Sequence, residues 1–188
     1  PNRIAEKIAH EFPGKAVYIV KLDLKAFYDN IDIHRLVDCL RSEYERFRRG
    51  QPELPKSDDG FWEIAYRGLS FQWAESDHSL RDLLRDGALR QGLPQGLVGS
   101  GFFANAYLLD FDREIGGHHG SLLQMLRVCP VVIHDYCRYV DDLRLVISVD
   151  DQPHSQDDLK TEVAEWVQQC LDRSIQVGAD SSARLEIS

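Results

Sequence analysis

Tyr139-Val140-Asp141-Asp142 stands between two apolar stretches, Val131-Val132-Ile133 and Leu143-Arg144-Leu145-Val146-Ile147. Alternation through Leu143, Leu145, Ile147 and Val149 reads as a half-buried strand, with the run before it as its hairpin partner. The hairpin therefore carries two adjacent carboxylates at its tip. Like charges that close raise each other's energy unless a cation shares them. A divalent ion is the economical explanation, because Mg²⁺ takes one or two carboxylates together with substrate phosphates. A further carboxylate must then arrive from elsewhere, and Asp23 is the candidate. The competing reading is a plain polar turn, which Asp-Asp can also make.

Working outward, Ala16 to Leu22 (AVYIVKL) is short, β-branched and aromatic, which predicts a buried strand with Asp23 at its carboxyl end. Asp32 can cap the helix that follows, and Ile31 can pack on Leu36 as a hydrophobic staple. Ile33, Leu36, Val37, Leu40 and Tyr44 keep helical spacing. Gln51 to Gly60 holds two prolines and Asp58-Asp59-Gly60 and reads as a loop. A helix is predicted from Phe61 to Trp73, a break at Leu89 to Gly96, and one longer helix from Leu97 to Ile115. The last helix starts near Ser155, with Leu159, Val163, Trp166, Val167 and Cys170 as its apolar stripe. The order β-α-α-α-β-β-α predicts an α/β (α+β) fold, helices packed on a small, mainly antiparallel sheet. With 188 residues, a single domain is expected.

Composition narrows the function classes. Hydrophobic content of 43% and charged content of 28% suit a globular chain with a real core. No apolar run reaches the roughly 18 residues that span a bilayer, and the first residues do not resemble a signal peptide. A cytoplasmic protein without membrane contact is expected. Cys39, Cys129, Cys137 and Cys170 are scattered and read as reduced thiols. His118-His119 lies among glycines and reads as a solvated loop rather than a metal pair. The net charge of −9 argues against a stand-alone nucleic-acid binder. Basic residues do cluster at Arg41, Arg46, Arg48 and Arg49, and again at Arg81, Arg85 and Arg90.

Three segments carry the chemistry: Lys21-Leu22-Asp23-Leu24-Lys25-Ala26-Phe27-Tyr28-Asp29, Gln91-Gly92-Leu93-Pro94-Gln95-Gly96, and Tyr139-Val140-Asp141-Asp142. Their content and order resemble the palm motifs A, B and C of reverse transcriptases. The x-Y-x-D-D motif is weak alone and strong with D-x-x-x-x-[FY] upstream and P-Q-G between. The resemblance spans roughly Val17 to Val149 and implies an RNA-directed DNA polymerase palm. Two-metal nucleotidyl transfer needs ions about 4 Å apart, one at the primer 3′-hydroxyl and one at the triphosphate. The resemblance implies Asp23 and Asp141 as bridging ligands of two Mg²⁺ ions, or Mn²⁺ in their place. Asp142 is the more auxiliary ligand, and the backbone carbonyl of Leu24 joins the set.

By the same resemblance, Tyr28 is an aromatic steric gate that excludes a 2′-hydroxyl and so selects dNTPs, a preference by clash. Its competing reading is a core aromatic beside Phe27. The N–H groups of Lys25, Ala26 and Phe27 are candidates for a nest around the triphosphate. Gln95 and Gly96 are implied to lie against the incoming nucleotide and template base. Asn105 reads equally as a helix-packing hydrogen bonder, Asp112 as structural, and Lys21 and Arg138 equally as solvated or functional.

The implied partners are a primer–template of RNA and DNA and dNTPs; the oligomeric state is open. Fingers and thumb are largely missing, and Ile175 to Ser182 lacks the lysine similar proteins carry there. This implies a fragment of a longer chain. The wording of motifs A and B is closest to bacterial retron, group II intron and phage-defence enzymes, which raises antiviral defence as a role. Untemplated or protein-primed DNA synthesis stays open. So does a non-catalytic palm scaffold binding RNA or protein, although its metal ligands should then have been lost. An RNA polymerase is disfavoured by Tyr28, and a nuclease by its lack of need for Pro94-Gln95-Gly96.

Overall fold

The computed structural model of the chain describes residues 1–70, 92–123, 129–150, 155–175 and 185–188. Trp73, the Arg81, Arg85 and Arg90 cluster, Gln91 and the lysine-free stretch 176–182 lie outside the described residues. These residues fall into two compact units. One draws on Pro1–Lys25, Leu108–Gln176 and Leu185–Ser188, the other on Ala26–Tyr107.

The first unit is built on a four-stranded antiparallel sheet in the order β1-β4-β3-β2. Its strands are β1 (Lys15–Leu22), β2 (Leu122–Leu123), β3 (Val131–Tyr139) and β4 (Asp142–Asp150). β4 is central, and Leu143, Leu145, Val146, Ile147 and Val149 on it are all buried. Each such aliphatic contributes about 1.5–3 kcal/mol by leaving water. A one-residue slip would drive Arg144 and Asp142 into that core, so the register is fixed by burial. Helices α5 (Leu109–Gly116) and α6 (Gln156–Ser174) pack on each other, and Phe111 of α5 meets Tyr136 of β3 edge-on, 6.2 Å between ring centroids. All five residues of the expected α6 stripe are buried, and the Ser155 hydroxyl caps the helix through the Asp158 N–H. Helix α1 (Asn2–Glu11), which composition did not suggest, packs on β1, β3 and β4 and buries none of its residues fully.

The second unit holds a 3₁₀ turn (Tyr28–Asn30), α2 (Ile33–Arg49), α3 (Asp59–Leu69) and α4 (Ser100–Tyr107). Asp32 caps α2 by accepting from the Arg35 N–H at 3.0 Å, and Ile31 and Leu36 are both buried, as a staple requires. Asp58 caps α3 through the Phe61 N–H at 2.6 Å. α2 packs against both α3 and α4.

The single helix expected over Leu97 to Ile115 is instead two. It begins at Ser100 and breaks after Tyr107, where Leu108 has φ −97° and ψ 7°. Hydrophobic spacing carries through such a break because Leu108 and Phe111 are both fully buried. No helix among the described residues is long and apolar enough to cross a membrane.

Candidate active site

The β1–β4 ladder ends on the pair Leu22 and Leu143. One step further along that register Asp23 comes level with Asp142, and the Leu24 N–H donates to the Asp141 carbonyl at 3.2 Å. Side chains two apart share a face. Lys21, Asp23, Asp142 and Arg144 therefore occupy one face of the sheet, and all four are exposed. Partial burial, followed by the carboxylates of Asp141 and then Asp142, pushes the Asp23 carboxyl above the usual carboxylate range. The strand end and the hairpin tip thus place three carboxylates within electrostatic reach of one another.

The three carboxylates do not bring their oxygens within 4.8 Å of one another. Among the described residues, only Glu114, His118 and Cys170 bring three ligand-type atoms within 4.8 Å of one another. That second grouping already has its cation. Arg173 donates to Glu114 Oε1 from Nε at 3.1 Å and from Nη2 at 2.9 Å, with Nη2 also 3.2 Å from Cys170 Sγ. Burial pushes the Cys170 thiol up to about 11, which keeps it protonated and a poor metal ligand. The grouping ties α5 to α6. His118 is part of it, half-buried with its ring edge-on to Trp166 at 5.3 Å, so the expected solvated loop holds for exposed His119 and not for His118. Hard carboxylate oxygens on an exposed sheet edge, in contrast, are the donor set that Mg²⁺ or Mn²⁺ takes. Asp23, Asp141 and Asp142 fit such an ion; Glu114, His118 and Cys170 do not.

The turn that carries the pair is strained. Tyr139 pairs with Asp142, leaving Val140 and Asp141 as a two-residue loop. Val140 has φ 58°, a left-handed conformation at the first central position, where glycine is usual in such loops. For a β-branched residue this costs on the order of 1–3 kcal/mol.

Past Asp23 the backbone is held by the segment Leu185–Ser188. Asp23 and Ser188 exchange N–H to carbonyl bonds at 3.1 and 2.9 Å, and the Lys25 N–H donates to the Glu186 carbonyl at 2.9 Å. Gln168 of α6 holds that segment in turn, through the Leu185 carbonyl and the Ile187 N–H. Of the nest expected at Lys25, Ala26 and Phe27, the Lys25 donor is thus already engaged, and its Nζ sits 3.4 Å from Glu186 Oε2. Ala26 has φ 45° and Phe27 is right-handed, the alternation that makes successive N–H groups converge.

In the second unit, Phe27 is buried and Tyr28 half-buried, their rings 5.7 Å apart. The Tyr28 carbonyl accepts from the Leu93 N–H at 2.8 Å, so the motif B backbone holds the motif A turn. Gln95 and Gly96 are exposed, and Gly96 has φ 88°, which explains the glycine. The Ser100 hydroxyl donates to the Pro94 carbonyl at 2.6 Å and locks the turn to the start of α4. Asn105 is exposed and bonds the Gly101 carbonyl in its own helix.

Sequence reasoning left Arg138 undecided and read Asp112 as structural, and no spacing rule could have joined them. They form a two-pronged ion pair with the Arg138 side chain only 6% exposed.

The chain matches the family model for reverse transcriptase (RNA-dependent DNA polymerase) over residues 3–180. No curated protein matches the sequence. That span takes in both units and all three motifs, and it agrees with a sheet edge that gathers the motif A and motif C carboxylates; the chain belongs to the reverse transcriptase family.

Proposed function

We propose that the chain is the catalytic palm of an RNA-directed DNA polymerase that adds dNMP to a primer 3′-hydroxyl. The observation that carries this reading is that Asp23 comes level with Asp142 beside Asp141 at one end of the β1–β4 ladder, where partial burial and then the two carboxylates raise the Asp23 carboxyl. Asp23, Asp141 and, less centrally, Asp142 would hold two Mg²⁺ ions, together with the Leu24 carbonyl. When bound, those ions lower the pKa of the primer hydroxyl and neutralise charge on the triphosphate. The chain's own part is positioning. The Leu24 N–H to Asp141 carbonyl bond ties the two ligand-bearing segments together, so that attack and departure can be in line.

The 3′-hydroxyl gives up its proton to solvent as its oxygen bonds to the α-phosphorus, the bond from that phosphorus to the α–β bridging oxygen breaks, and pyrophosphate leaves with the electron pair. Tyr28 excludes the 2′-hydroxyl by clash. Ala26 and Phe27, with Lys25 once it is released from Glu186, offer N–H groups to the triphosphate. Gln95 and Gly96 contact the nucleotide and template base.

Primer extension on an RNA template tests the proposal, comparing dNTPs with rNTPs in Mg²⁺ and using Asp141→Asn, Asp142→Asn as control. Template-dependent dNTP addition that vanishes in the control is the expected result. Addition without template would replace this reading with untemplated synthesis. No addition by folded protein, with Mn²⁺ and several primers, would favour a binding scaffold.

A further inference from the structure

Asp141 and Asp142 hang on a turn whose first residue, Val140, is held at φ 58°. Such a backbone persists only where its surroundings impose it. The two loop carbonyls show how. The Asp141 carbonyl accepts from the Leu24 N–H at 3.2 Å, and the Val140 carbonyl accepts from Arg138 Nη1 at 2.7 Å. Arg138 is itself fixed. Its Nε donates to Asp112 Oδ1 at 2.9 Å and its Nη2 to Asp112 Oδ2 at 2.6 Å. The Tyr136 hydroxyl donates to Asp112 Oδ1 at 2.9 Å. Asp112 stands on the first turn of α5, and the Phe111 ring beside it packs on Tyr136.

A buried ion pair is weak support for stability, since apolar residues of similar volume often serve as well. What a planar guanidinium adds is direction: one edge takes the carboxylate while the remaining nitrogen reaches a carbonyl two residues along the chain. A lysine ammonium cannot hold both partners in one plane.

We propose that Arg138, oriented by Asp112 and Tyr136, is a positioning residue that sets the Val140 turn so that Asp141 and Asp142 present their carboxylates to the metal. The inference rests on the polymerase reading of the site. It adds a path from α5 to the metal ligands through four named hydrogen bonds.

The test uses Mn²⁺ as the probe, its binding to the full chain followed by electron paramagnetic resonance, beside urea denaturation and primer extension across Mg²⁺ concentrations. Arg138→Lys and Asp112→Asn should each weaken Mn²⁺ binding about 10-fold, the loss usual for groups that orient metal ligands. The Mg²⁺ concentration for half-maximal extension should rise in parallel. The double variant should lose little beyond either single one, because both act through one unit. Tyr136→Phe removes only the hydroxyl and keeps the packing; it should weaken Mn²⁺ binding too, though less than the charged variants, and it serves as the test if those fold poorly.

Unchanged Mn²⁺ affinity in variants that are less stable to urea would overturn the proposal and leave the pair a structural tie. Wild-type chain whose Mn²⁺ binding is insensitive to Asp141→Asn, Asp142→Asn would overturn the polymerase reading, and this inference with it. That outcome is visible in the unsubstituted Arg138 background and so is distinct from failure of the clamp.

Discussion

Gly92 has no room for a side chain. A Cβ there would lie 1.9 Å from the Tyr28 carbonyl oxygen and 2.7 Å from both the carbon and the oxygen of the Asp29 carbonyl. All three are backbone atoms, and the turn they belong to is pinned by the Asn30 side chain on the Ala26 carbonyl at 3.0 Å. Gly92→Ala should therefore destabilise the protein by about 1–3 kcal/mol, read as a lower urea midpoint. Tyr28 is a different case. It is half-buried, so Tyr28→Val should cost little stability, while the ratio of rNTP to dNTP incorporation should rise at least about tenfold as the clash is removed. An unchanged ratio would return Tyr28 to the role of a packing aromatic. Asp23 gives a prediction in pH. Its carboxyl lies above the ordinary 3.8 in the folded chain, so the proton adds stability that is complete below 3.8 and lost as pH rises through the folded value. Asn carries no such charge. Asp23→Asn should be more stable than the parent at pH 7, with the advantage shrinking as pH falls toward 3.8, while extension is abolished. Urea curves at pH 7 and pH 4 check the sign.

At the scale of elements, two helix starts were legible. Asp32 and Ser155 lie at them, each with a side-chain oxygen accepting from an N–H three residues on. Asp58, read as part of a loop, makes the same cap, so that α3 starts at Asp59 rather than Phe61 and ends at Leu69 rather than Trp73. Asp32→Ala should cost about 1 kcal/mol, a cap's usual worth, measured by thermal or urea unfolding. The antiparallel sheet and the hairpin of β3 and β4 were legible too, from two apolar runs flanking a polar turn, although β4, expected to be half-buried, is buried on both faces from Leu145 to Val149. Three features were not. The break between α4 and α5 falls inside an apolar run that reads as one helix. Helix α1 shows only Ile4 and Ile8 one turn apart, a signal too brief to distinguish from a polar tail. The bond from Arg138 to Asp112 joins residues 26 apart, and nothing local in either segment marks it. The candidate ligands Asp23, Asp141 and Asp142 could be named because motif spacing marks them. The groups that hold them could not, since their partners lie far away in sequence.

At the scale of the molecule, charge decides how nucleic acid can be approached. The chain has 22 lysines and arginines against 31 aspartates and glutamates, so its mean field repels a duplex. Binding must then rely on a local exception. Lys21 and Arg144 face each other across β1 and β4, both exposed, two rungs from the carboxylates and on the same face. Like charges directly opposite are unfavourable in a sheet unless something anionic lies over them. A primer phosphate would supply that charge beside the reacting end. Each phosphate neutralised contributes about −0.9 to the slope of log affinity against log salt. The chain should therefore bind a primer–template weakly, with a slope of only about −2, and Lys21→Gln, Arg144→Gln should bring the slope close to zero. Fluorescence anisotropy between about 50 and 200 mM salt measures this. The double variant should also raise the KM for primer–template while leaving kcat within about twofold, because neither residue makes an interaction confined to the transition state. A steep slope that survives both substitutions would mean that the duplex lies on another surface, and that the exposed end of the sheet presents its carboxylates without gripping the primer.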